Sequence, residues 1–520
     1  MADLNLDNLT QALDQLPDRY RGPGGVAGVV KDGEIIAQRA WGYADLTTYK
    51  PMTATTRLPI CSISKQFTCG VMLDKIGDPD RLNDRVADLL PNFRGTIPTV
   101  KELAHNQSGL RDYWALSILQ GAKAEQTFER KDALPLLARM KTGHFEPGTR
   151  YSYCNGNFRM LSELIEAETG QSMEELYTQS IWGPAGMKTA VLNSNTRHPT
   201  DQVVGYEGDD VTGFFPADNG IYWVGDAGIA ASLDDMLAYE AWIDRTRDDP
   251  DSIYQRLSQP PCFGDGTPAA YGYGLAHATI SGVKITGHAG ALRGFRSFRL
   301  HAASERLSVV VIFNHEEDMF GAASTVLNAA IGAKPPAPQP MSQDWKGQWI
   351  CRETGLLAQI RPGQTSANLK FATFPDSLTA GPDGDLITSG ITITRADDTL
   401  TMHRADENLH STLDRLATDV APFSTEISGR YEAEELDATM VIEARDGGVY
   451  GRFEGMLGTS IMERLHPVGP DTWVVATRRS MDAPAPGDWT LSLARDDAGK
   501  ITGFRLGCWL ARNIDYVKTA

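Results

Sequence analysis

The spacing of apolar residues changes once along this chain, and the change divides it into two parts. In the first part, apolar residues recur at helical spacing over 62–76 and 158–169, and Gly170 is placed to end the second helix. A dense apolar run, Leu307–Phe313, predicts a central strand. In the second part the helical spacing fades, and short alternating runs between turn residues predict antiparallel strands. The sequence therefore predicts an α+β chain with all-β units at its end.

A proline-rich segment at 334–341 separates the two parts. Such proline density makes a stiff, extended linker, so we expect a mixed domain over 1–333. The 520 residues are too many for one compact domain, and the β part is long enough for two units, over 342–422 and 423–520. We expect each unit to be a small antiparallel β-barrel. The supporting signals are a glycine followed by an aromatic residue at Gly347 and Gly429, and a hairpin formed by 438–444 and 448–453.

The charge and the N-terminal sequence limit the classes of partner. A formal net charge of −18 disfavours binding to nucleic acid, whose backbone is also anionic. No apolar run is long enough to span a membrane, so we expect no membrane partner. Residues 1–20 lack the basic stretch and apolar core of a secretory signal, which favours a cytoplasmic location.

The sequence contains no motif for a cofactor or a metal. The six cysteines form no C-x-x-C pair, and their spacing indicates neither a disulfide framework nor a zinc site. The glycine-rich stretch at 22–27 leads into a strand-like run, where a dinucleotide loop needs a helix. There is also no P-loop lysine motif, no H-E-x-x-H and no G-x-S-x-G. We therefore expect neither a cofactor nor a metal.

Three short motifs carry the candidate chemistry: Ser62-x-x-Lys65, then Tyr153-Cys154-Asn155, then His288-Ala289-Gly290. Ser62 and Lys65 lie three residues apart at a predicted helix start, so the ammonium lies beside a hydroxyl that needs a base. The helix N-terminus favours an anion there, and the Ser62 N–H can form half of an oxyanion hole. We expect the pKa of Tyr153 to be lowered, because a nearby Lys65 favours the phenolate. Either Lys65 or Tyr153 could be the base.

Each motif alone has a simpler structural explanation. Ser62 could cap a helix, Tyr153 could be a core tyrosine, and His288 could lie in a glycine-rich turn. All three motifs in this order favour a catalytic site instead.

The motifs and their surroundings resemble those of the penicillin-recognising serine hydrolases. This family contains class C β-lactamases, D,D-carboxypeptidases, related esterases and D-aminopeptidases. The resemblance implies an antiparallel sheet flanked by helices, with the site between them. It also implies that Ser62 is acylated and that Lys65 and Tyr153 move its proton. The resemblance spans about residues 10–330 and includes the segments at 28–33, 42–45, 103–110, 145–155, 184–187 and 287–290.

The resemblance assigns further residues to substrate binding. It implies that Asn155 holds the amide carbonyl of the substrate. It places His288 and Gly290 on the strand that edges the site, and the backbone N–H of Ala291 in the oxyanion hole.

The chain departs from the family where many relatives carry K-T-G. His288 and Ala289 replace the lysine and the threonine, which suit a free substrate carboxylate. A neutral histidine is a poor carboxylate partner near neutral pH, so the departure disfavours a D,D-carboxypeptidase or an efficient β-lactamase. Arg293 or Arg296 could restore the positive charge, and the sequence leaves this open.

The three-part layout resembles the D-aminopeptidases of the family more than its β-lactamases. An aminopeptidase must bind a free ammonium group, which needs a carboxylate close to the nucleophile. The candidates are Asp482, in a long proline-stiffened loop at 478–487, and Asp226. A solvated loop aspartate is the alternative for each, and whether the loop reaches the site is open.

We therefore predict a metal-independent serine aminopeptidase that acts through an acyl-Ser62 intermediate. Its expected substrates are small peptides or amino-acid amides with a free amine, and the preference for D residues comes from the resemblance alone. An esterase, amidase or D,D-peptidase-like hydrolase of the same fold is the alternative, and a non-catalytic binding protein ranks last because Ser62, Lys65 and Tyr153 are intact. A homodimer is compatible with the sequence.

Overall fold

The computed structural model describes residues 5–333, 339–373, 375–417, 424–477, 479–481 and 483–519. Five residues of the predicted linker, 334–338, and the candidate Asp482 lie outside this set. Within it, no helix combines the length and the apolar character needed to span a bilayer.

The first part of the chain folds around an eight-stranded antiparallel sheet with the order β3-β2-β1-β13-β12-β11-β10-β9. Two minor sheets, β4-β8-β5 and β6-β7, lie beside it. The strands are β1 (Gly24–Lys31), β2 (Glu34–Asp45), β3 (Lys50–Pro51), β4 (Leu58–Pro59), β5 (Val191–Leu192), β6 (Tyr206–Asp209), β7 (Gly213–Pro216), β8 (Ile229–Ala231), β9 (Tyr271–Gly272), β10 (Leu275–Ile280), β11 (Val283–Leu292), β12 (Phe295–Ala302) and β13 (Leu307–Phe313).

Helices cover both faces of this sheet. Two of them, α1 and α13, pack on one face, and the other face carries the remaining longer helices. The helices are α1 (Leu6–Asp14), α2 (Leu16–Arg19), α3 (Ser64–Lys75), α4 (Val86–Leu89), α5 (Val100–Ala104), α6 (Tyr113–Leu119), α7 (Arg130–Leu137), α8 (Asn155–Thr169), α9 (Met173–Tyr177), α10 (Gly183–Ala185), α11 (Leu233–Arg245), α12 (Ile253–Leu257) and α13 (Met319–Ile331).

The predicted elements are present with small shifts at their ends. The predicted helix at 62–76 is α3, preceded by a 3-10 turn, Cys61–Ile63. The helix predicted over 158–169 is α8, which starts three residues earlier at Asn155 and ends at Gly170 in the left-handed conformation (φ 68°). The strand predicted from the dense apolar run is β13, and all of its residues are buried.

The first barrel closes because β14 pairs with both β15 and β21. Its alternating strands place one face in a small apolar interior, as expected for strands of period two. The strands are β14 (Gly347–Cys351), β15 (Leu357–Pro362), β16 (Ala367–Phe371), β17 (Asp376–Ala380), β18 (Leu386–Ile387), β19 (Ile391–Ala396), β20 (Thr399–Arg404) and β21 (Leu409–Arg415).

The second barrel closes through the pairing of β23 with β24, the hairpin that the sequence predicts. Two short strands, β28 and β29, form a separate hairpin outside the barrel wall. The strands are β22 (Gly429–Ala433), β23 (Ala438–Arg445), β24 (Gly448–Gly455), β25 (Gly458–Thr459), β26 (Glu463–Gly469), β27 (Thr472–Val475), β28 (Arg479–Ser480), β29 (Ala483–Pro484), β30 (Trp489–Arg495), β31 (Ile501–Cys508) and β32 (Ala511–Lys518).

The predicted α+β class with two antiparallel barrels is confirmed. The predicted domain boundaries themselves stay predictions. The cores of the three units are joined unequally: the first barrel has a separate apolar cluster, whereas the second barrel shares one continuous cluster with the α3–α8–α11 side of the sheet domain. The second barrel is therefore packed as part of the unit that carries the three motifs.

Candidate active site

Ser62 lies in the 3-10 turn between β4 and α3, which packs against β11 and β12 of the large sheet. The residue before it, Cys61, has a positive φ of 52°, which is unusual for a residue with a side chain. Strand β11 passes close to this turn. A Cβ at Gly290 would overlap the Ile60 carbonyl oxygen and lie 3.1 Å from Cys61 Cβ. Glycine is therefore required at 290 for β11 to approach the turn that holds Ser62.

Lys65 lies on the first turn of α3 and is fully buried. Its Nζ donates to Ser62 Oγ at 2.9 Å, to Asn155 Oδ1 at 2.8 Å and to the Asp226 carbonyl oxygen at 2.6 Å. These three acceptors match the three N–H groups of an ammonium. Burial lowers the pKa of Lys65 from 10.5 to about 8, although Asp226 and Asp112 oppose the shift. Lys65 therefore touches the serine and can lose its proton near neutral pH.

Tyr153 lies beside the same pair, with the Lys65 Nζ 5.0 Å from its ring centre. Loss of water around the ring raises the pKa of Tyr153 well above its usual value, and a hydrogen bond with Ser62 opposes this only partly. The expected lowering of its pKa is thus wrong. The desolvation of the phenolate outweighs the attraction of the nearby lysine.

His288 lies on β11 and is neutral, because burial lowers its pKa from 6.5 to about 3. Its Nδ1 lies 2.5 Å from the Ala289 carbonyl oxygen, which can only accept, so Nδ1 carries the proton. Nε2 then accepts from the Tyr271 hydroxyl at 2.8 Å. The imidazole has no N–H left for a substrate carboxylate.

The two arginines that could replace the missing lysine charge are both paired. Arg293 Nη2 lies 2.6 Å from Glu207, and Arg296 Nη2 lies 3.1 Å from Glu316. Among the described residues they therefore supply no free positive charge at the end of β11. The open question left by the sequence is answered against a carboxylate-binding site of the K-T-G kind.

Asn155 is held at both ends of its amide. Its Oδ1 accepts from Lys65, and its Nδ2 donates to Asp112 Oδ2 at 2.9 Å. One Nδ2–H remains for the substrate carbonyl that the family resemblance assigns to this residue. Asn155 thus also positions the lysine.

Asp112 is a residue that the sequence reasoning missed. It caps α6, and its Oδ1 accepts from the backbone N–H groups of Trp114 and Ala115 at 3.0 and 3.3 Å. Its Oδ2 accepts from the backbone and the side chain of Asn155. Burial raises the pKa of Asp112 to about 6. An aspartate before a helix is the usual capping signal, so nothing in its pattern marked a role in the site.

Asp226 is buried beside Lys65 and is not among the residues that line the cavity above Ser62. Its side chain is 1% exposed, and Oδ2 accepts from the Tyr113 hydroxyl at 2.7 Å. A buried carboxylate that does not line the cavity disfavours its predicted role as the anchor of a substrate amine.

A cavity of about 240 Å³ opens above Ser62, and all three units of the chain line it. The sheet domain supplies one side. The first barrel contributes Thr373, and the second contributes β29 with Ala485 after it and the turn between β31 and β32. The loop whose reach was open therefore extends to the site. The lining residues are Ser62, Asp112, Trp114, Tyr153, Asn155, Trp223, Ala227, His288, Ala289, Gly290, Ala291, Thr373, Ala483, Pro484, Ala485, Trp509 and Leu510.

The β28–β29 hairpin is fastened to the sheet domain on the way to the cavity. Arg479 Nη1 lies 2.5 Å from Glu207, the residue that also pairs with Arg293. Ser480 Oγ lies 3.1 Å from Ser117 Oγ and also bonds the Trp114 carbonyl. Strand β28 is thus held in place by the domain that carries Ser62.

Metal ligands are not grouped in the described part of the chain. No set of three or more His, Cys, Asp or Glu side chains there could hold a metal ion. The site offers instead a serine bonded to an amine, with a phenol beside them, which is a set for acyl transfer.

Family models match both parts of the chain. A model described as β-lactamase matches residues 9–333, and a model described as D-aminopeptidase, domain B, matches residues 339–517.

Curated relatives match the chain over its whole length. It is 61% identical over 515 residues to a protein from Cereibacter sphaeroides named D-aminopeptidase, with 99% of each chain covered. It is 47% identical over 519 residues to a D-aminopeptidase from Brucella melitensis, again with 99% of each chain covered.

Solved structures share the fold at low sequence identity. The octameric penicillin-binding protein homologue from Pyrococcus abyssi aligns with a TM-score of 0.57 and 18% identity, over 79% of this chain and 100% of that one. The D-amino acid amidase from Ochrobactrum anthropi, in complex with D-phenylalanine, aligns with a TM-score of 0.51 and 20% identity, over 62% of this chain and 98% of that one.

Proposed function

Because the chain belongs to the β-lactamase family and carries a D-aminopeptidase domain B behind the family domain, we propose that it is a serine aminopeptidase. It releases N-terminal residues of D configuration from small peptides, amides or esters through an acyl-Ser62 intermediate. The D configuration rests on the names of relatives that are 61% and 47% identical to it. A homodimer and a cytoplasmic location stay predictions.

The observation that carries the proposal is the 2.9 Å contact between Lys65 Nζ and Ser62 Oγ in the cavity. When Lys65 is neutral, two N–H groups still donate to Asn155 and Asp226, and the free lone pair points to the serine. The Ser62 hydroxyl can then donate to this lone pair as its oxygen attacks the substrate carbonyl. We assign Lys65 as the base, since the raised pKa of Tyr153 keeps its phenolate out of reach.

The remaining steps use groups that face the same cavity. The backbone N–H groups of Ser62 and Ala291 stabilise the oxyanion of the tetrahedral intermediate. Tyr153 stays a neutral phenol, so it can donate its proton to the leaving nitrogen and recover one from Lys65. Water then attacks the acyl-Ser62 ester by the same route in reverse, which frees the serine.

The size of the cavity supports an exopeptidase. A volume of about 240 Å³ is below the range usual for sites that hold drug-sized ligands, so it suits one residue with a short leaving group. The apolar wall at Ala483, Trp509 and Leu510 blocks extension of the substrate on that side. We propose small peptides or amino-acid amides with a free amine as substrates, with Asp482 as the amine anchor to be tested.

One observation favours the alternative of an esterase or amidase. Among the described lining residues, Asp112 carries the one carboxylate, and its oxygens already accept four N–H bonds. It therefore has no lone pair to spare for a substrate ammonium.

Hydrolysis of D-alanine p-nitroanilide beside its N-acetylated form separates these candidates. The L isomer tests the configuration, and Ser62→Ala gives the blank. Cleavage of the free D amine alone supports the aminopeptidase. Equal cleavage of both forms, or activity on simple esters alone, would favour the esterase or amidase. The matched change Asp482→Asn should raise KM for the free amine and leave simple esters unaffected.

A further inference from the structure

Asp226 contacts the proposed catalytic lysine through its main chain, and its buried carboxylate favours the ammonium form of that lysine. The carbonyl oxygen accepts from Lys65 Nζ at 2.6 Å. The carboxylate is 1% exposed, and its Oδ2 is fixed by the Tyr113 hydroxyl at 2.7 Å. Its Oδ1 has no hydrogen-bond partner among the described residues. A buried carboxylate that is half satisfied is costly, so it calls for a reason in the site beside it.

The charges around the lysine are few and buried. Asp226 and Asp112 are the carboxylates that favour its ammonium form. Burial raises the pKa of Asp226, and the charges of Lys65 and Arg159 and the bond from Tyr113 oppose that rise. The elements packed against Lys65 supply, as groups that titrate or polarise, Cys61 and Ser62 from the 3-10 turn, Asp112 from the start of α6, Tyr153, Cys154 and Asn155 from the start of α8, Asp226 from the turn before β8 and His288 from β11.

We propose that Asp226 is a positioning residue whose carboxylate sets the pH range in which Lys65 can take the Ser62 proton. This inference rests on the proposed function of Lys65. Burial removes water from the Lys65 ammonium, so the lysine loses its proton at a lower pH than an exposed lysine does. The Asp226 carboxylate, which does not line the cavity, opposes that loss.

The direction of the effect follows from the sign of the charge. Without the carboxylate, the buried ammonium is less stable, so Lys65 becomes neutral at lower pH. Asp226→Asn keeps the shape of the side chain and the main-chain carbonyl that holds Nζ. It removes the charge alone.

The test uses p-nitrophenyl acetate, which carries no amine, so its pH profile reports the enzyme and not the substrate. We measure the Ser62-dependent rate from about pH 5 to about pH 10 for wild type and Asp226→Asn. The rising limb of the variant should move to lower pH by about one unit, the lower end of the shift that a neighbouring opposite charge causes. Asp235→Asn is the matched control, since this aspartate is also buried but bonds Ser232 and Thr189.

A second variant keeps the test decisive if Asp226→Asn does not fold. Tyr113→Phe leaves the carboxylate but removes its donor, which raises the Asp226 pKa and makes it less charged. The rising part of its pH–rate profile should also move to lower pH, but by less than that of Asp226→Asn. Identical limbs in wild type and in the folded variants would overturn the inference, even if activity fell.

The ester assay also separates this inference from the proposed function. If the enzyme cleaves the ester through Ser62 but does not cleave D-amino-acid substrates with a free amine, the aminopeptidase assignment fails. The pH profile of ester hydrolysis still tests the role of Asp226. A wild-type enzyme with no Ser62-dependent rate would overturn both.

Discussion

The two sides of the cavity differ in chemistry and in origin. On one side, Ser62, Lys65 and Tyr153 come from the sheet domain; Lys65 bonds Ser62, and the Tyr153 ring lies beside the lysine. The opposite side is formed by Ala483 and Leu510 with their neighbours, which come from the second barrel and are mainly apolar. The polar side is held in one arrangement, because each N–H group of Lys65 has a hydrogen-bond acceptor. The apolar side contributes only to the shape of the cavity.

This difference separates bond breaking from selection. Groups that move protons must be held within a few tenths of an ångström, and they lie on one domain with a shared core. Residues that limit the substrate need volume and rigidity, and they arrive on a hairpin and a turn. The two properties should therefore respond to different substitutions.

The largest expected effect is on the polar side. Lys65→Met should lower kcat/KM by about 10³-fold, because it removes the base and leaves Asp226 and Asp112 without their cation. Steady-state kinetics on D-alanine p-nitroanilide measure it. Lys101→Met, at an exposed lysine on α5, is the control and should keep the wild-type rate. A folded Lys65→Met enzyme with more than a tenth of wild-type activity would contradict the assignment.

The next largest effect is expected where the second barrel, which carries the apolar side, is attached to the sheet domain. Arg111 is buried and donates to the carbonyls of Arg512 and Asn513 at 3.0 and 3.1 Å, so it ties the second barrel to the sheet domain. Arg111→Met should lower the free energy of unfolding by about 3 kcal/mol, since it leaves carbonyl oxygens without their donor and Glu435 without its cation. Urea unfolding measures the change.

The first barrel offers the matched control for that experiment. Arg352 pairs with Asp414 at 2.6 Å, but their side chains are 58% and 46% exposed. Arg352→Met should cost less than about 1 kcal/mol. Equal losses for the two variants would show that the second barrel is no more firmly joined than the surface pair.

The pH dependence of kcat/KM tests the proposed role of Lys65 on the polar side. The pKa of Lys65 is lowered to about 8, and the base must be neutral, so kcat/KM should rise with pH through about 8. Well below that value the rate should change about tenfold per pH unit. His288 stays neutral because its pKa is lowered to about 3, so its titration does not change the rate in this pH range. Ester hydrolysis measures the profile, and a rate that falls as pH rises through 8 would exclude Lys65 as the base.

The smallest effect is expected on the apolar side. Ala483→Leu should fill part of the cavity and lower kcat/KM for D-phenylalanine p-nitroanilide by about fivefold, which is about 1 kcal/mol. The D-alanine substrate should lose less. Ala498→Leu, in an exposed turn of the same barrel, is the control. If both substrates lost activity equally, the hairpin would not select by size.

Local patterns predicted the polar side well. The spacing of Ser62 and Lys65 on one helix, and the order of the motifs, placed the candidates correctly in contact. The closely similar relatives confirm the family that the motifs indicated. Such signals depend on neighbours in sequence, so they survive without knowledge of the fold.

The rest depended on contacts between distant segments. Trp509 and Leu510 line the cavity across from Ser62, and nothing in their own pattern points there. The turn that holds Asp226 contains Gly225 and Gly228 at positive φ, so the direction of its side chain did not follow from alternation. The pKa of Tyr153 was predicted with the wrong sign because its burial is a property of the assembled site.

The order of the cavity parts along the chain has a consequence for a protein that is still being made. Ser62 and Lys65 leave the ribosome early, whereas Ala483 and Leu510 emerge late. Domains fold from the N-terminus during synthesis, so the nucleophile can assemble on a nascent chain whose cavity is still open on one side. Such a chain would hold a reactive serine before the part that restricts it exists. Synthesis of the second barrel is then the step that closes this side of the cavity.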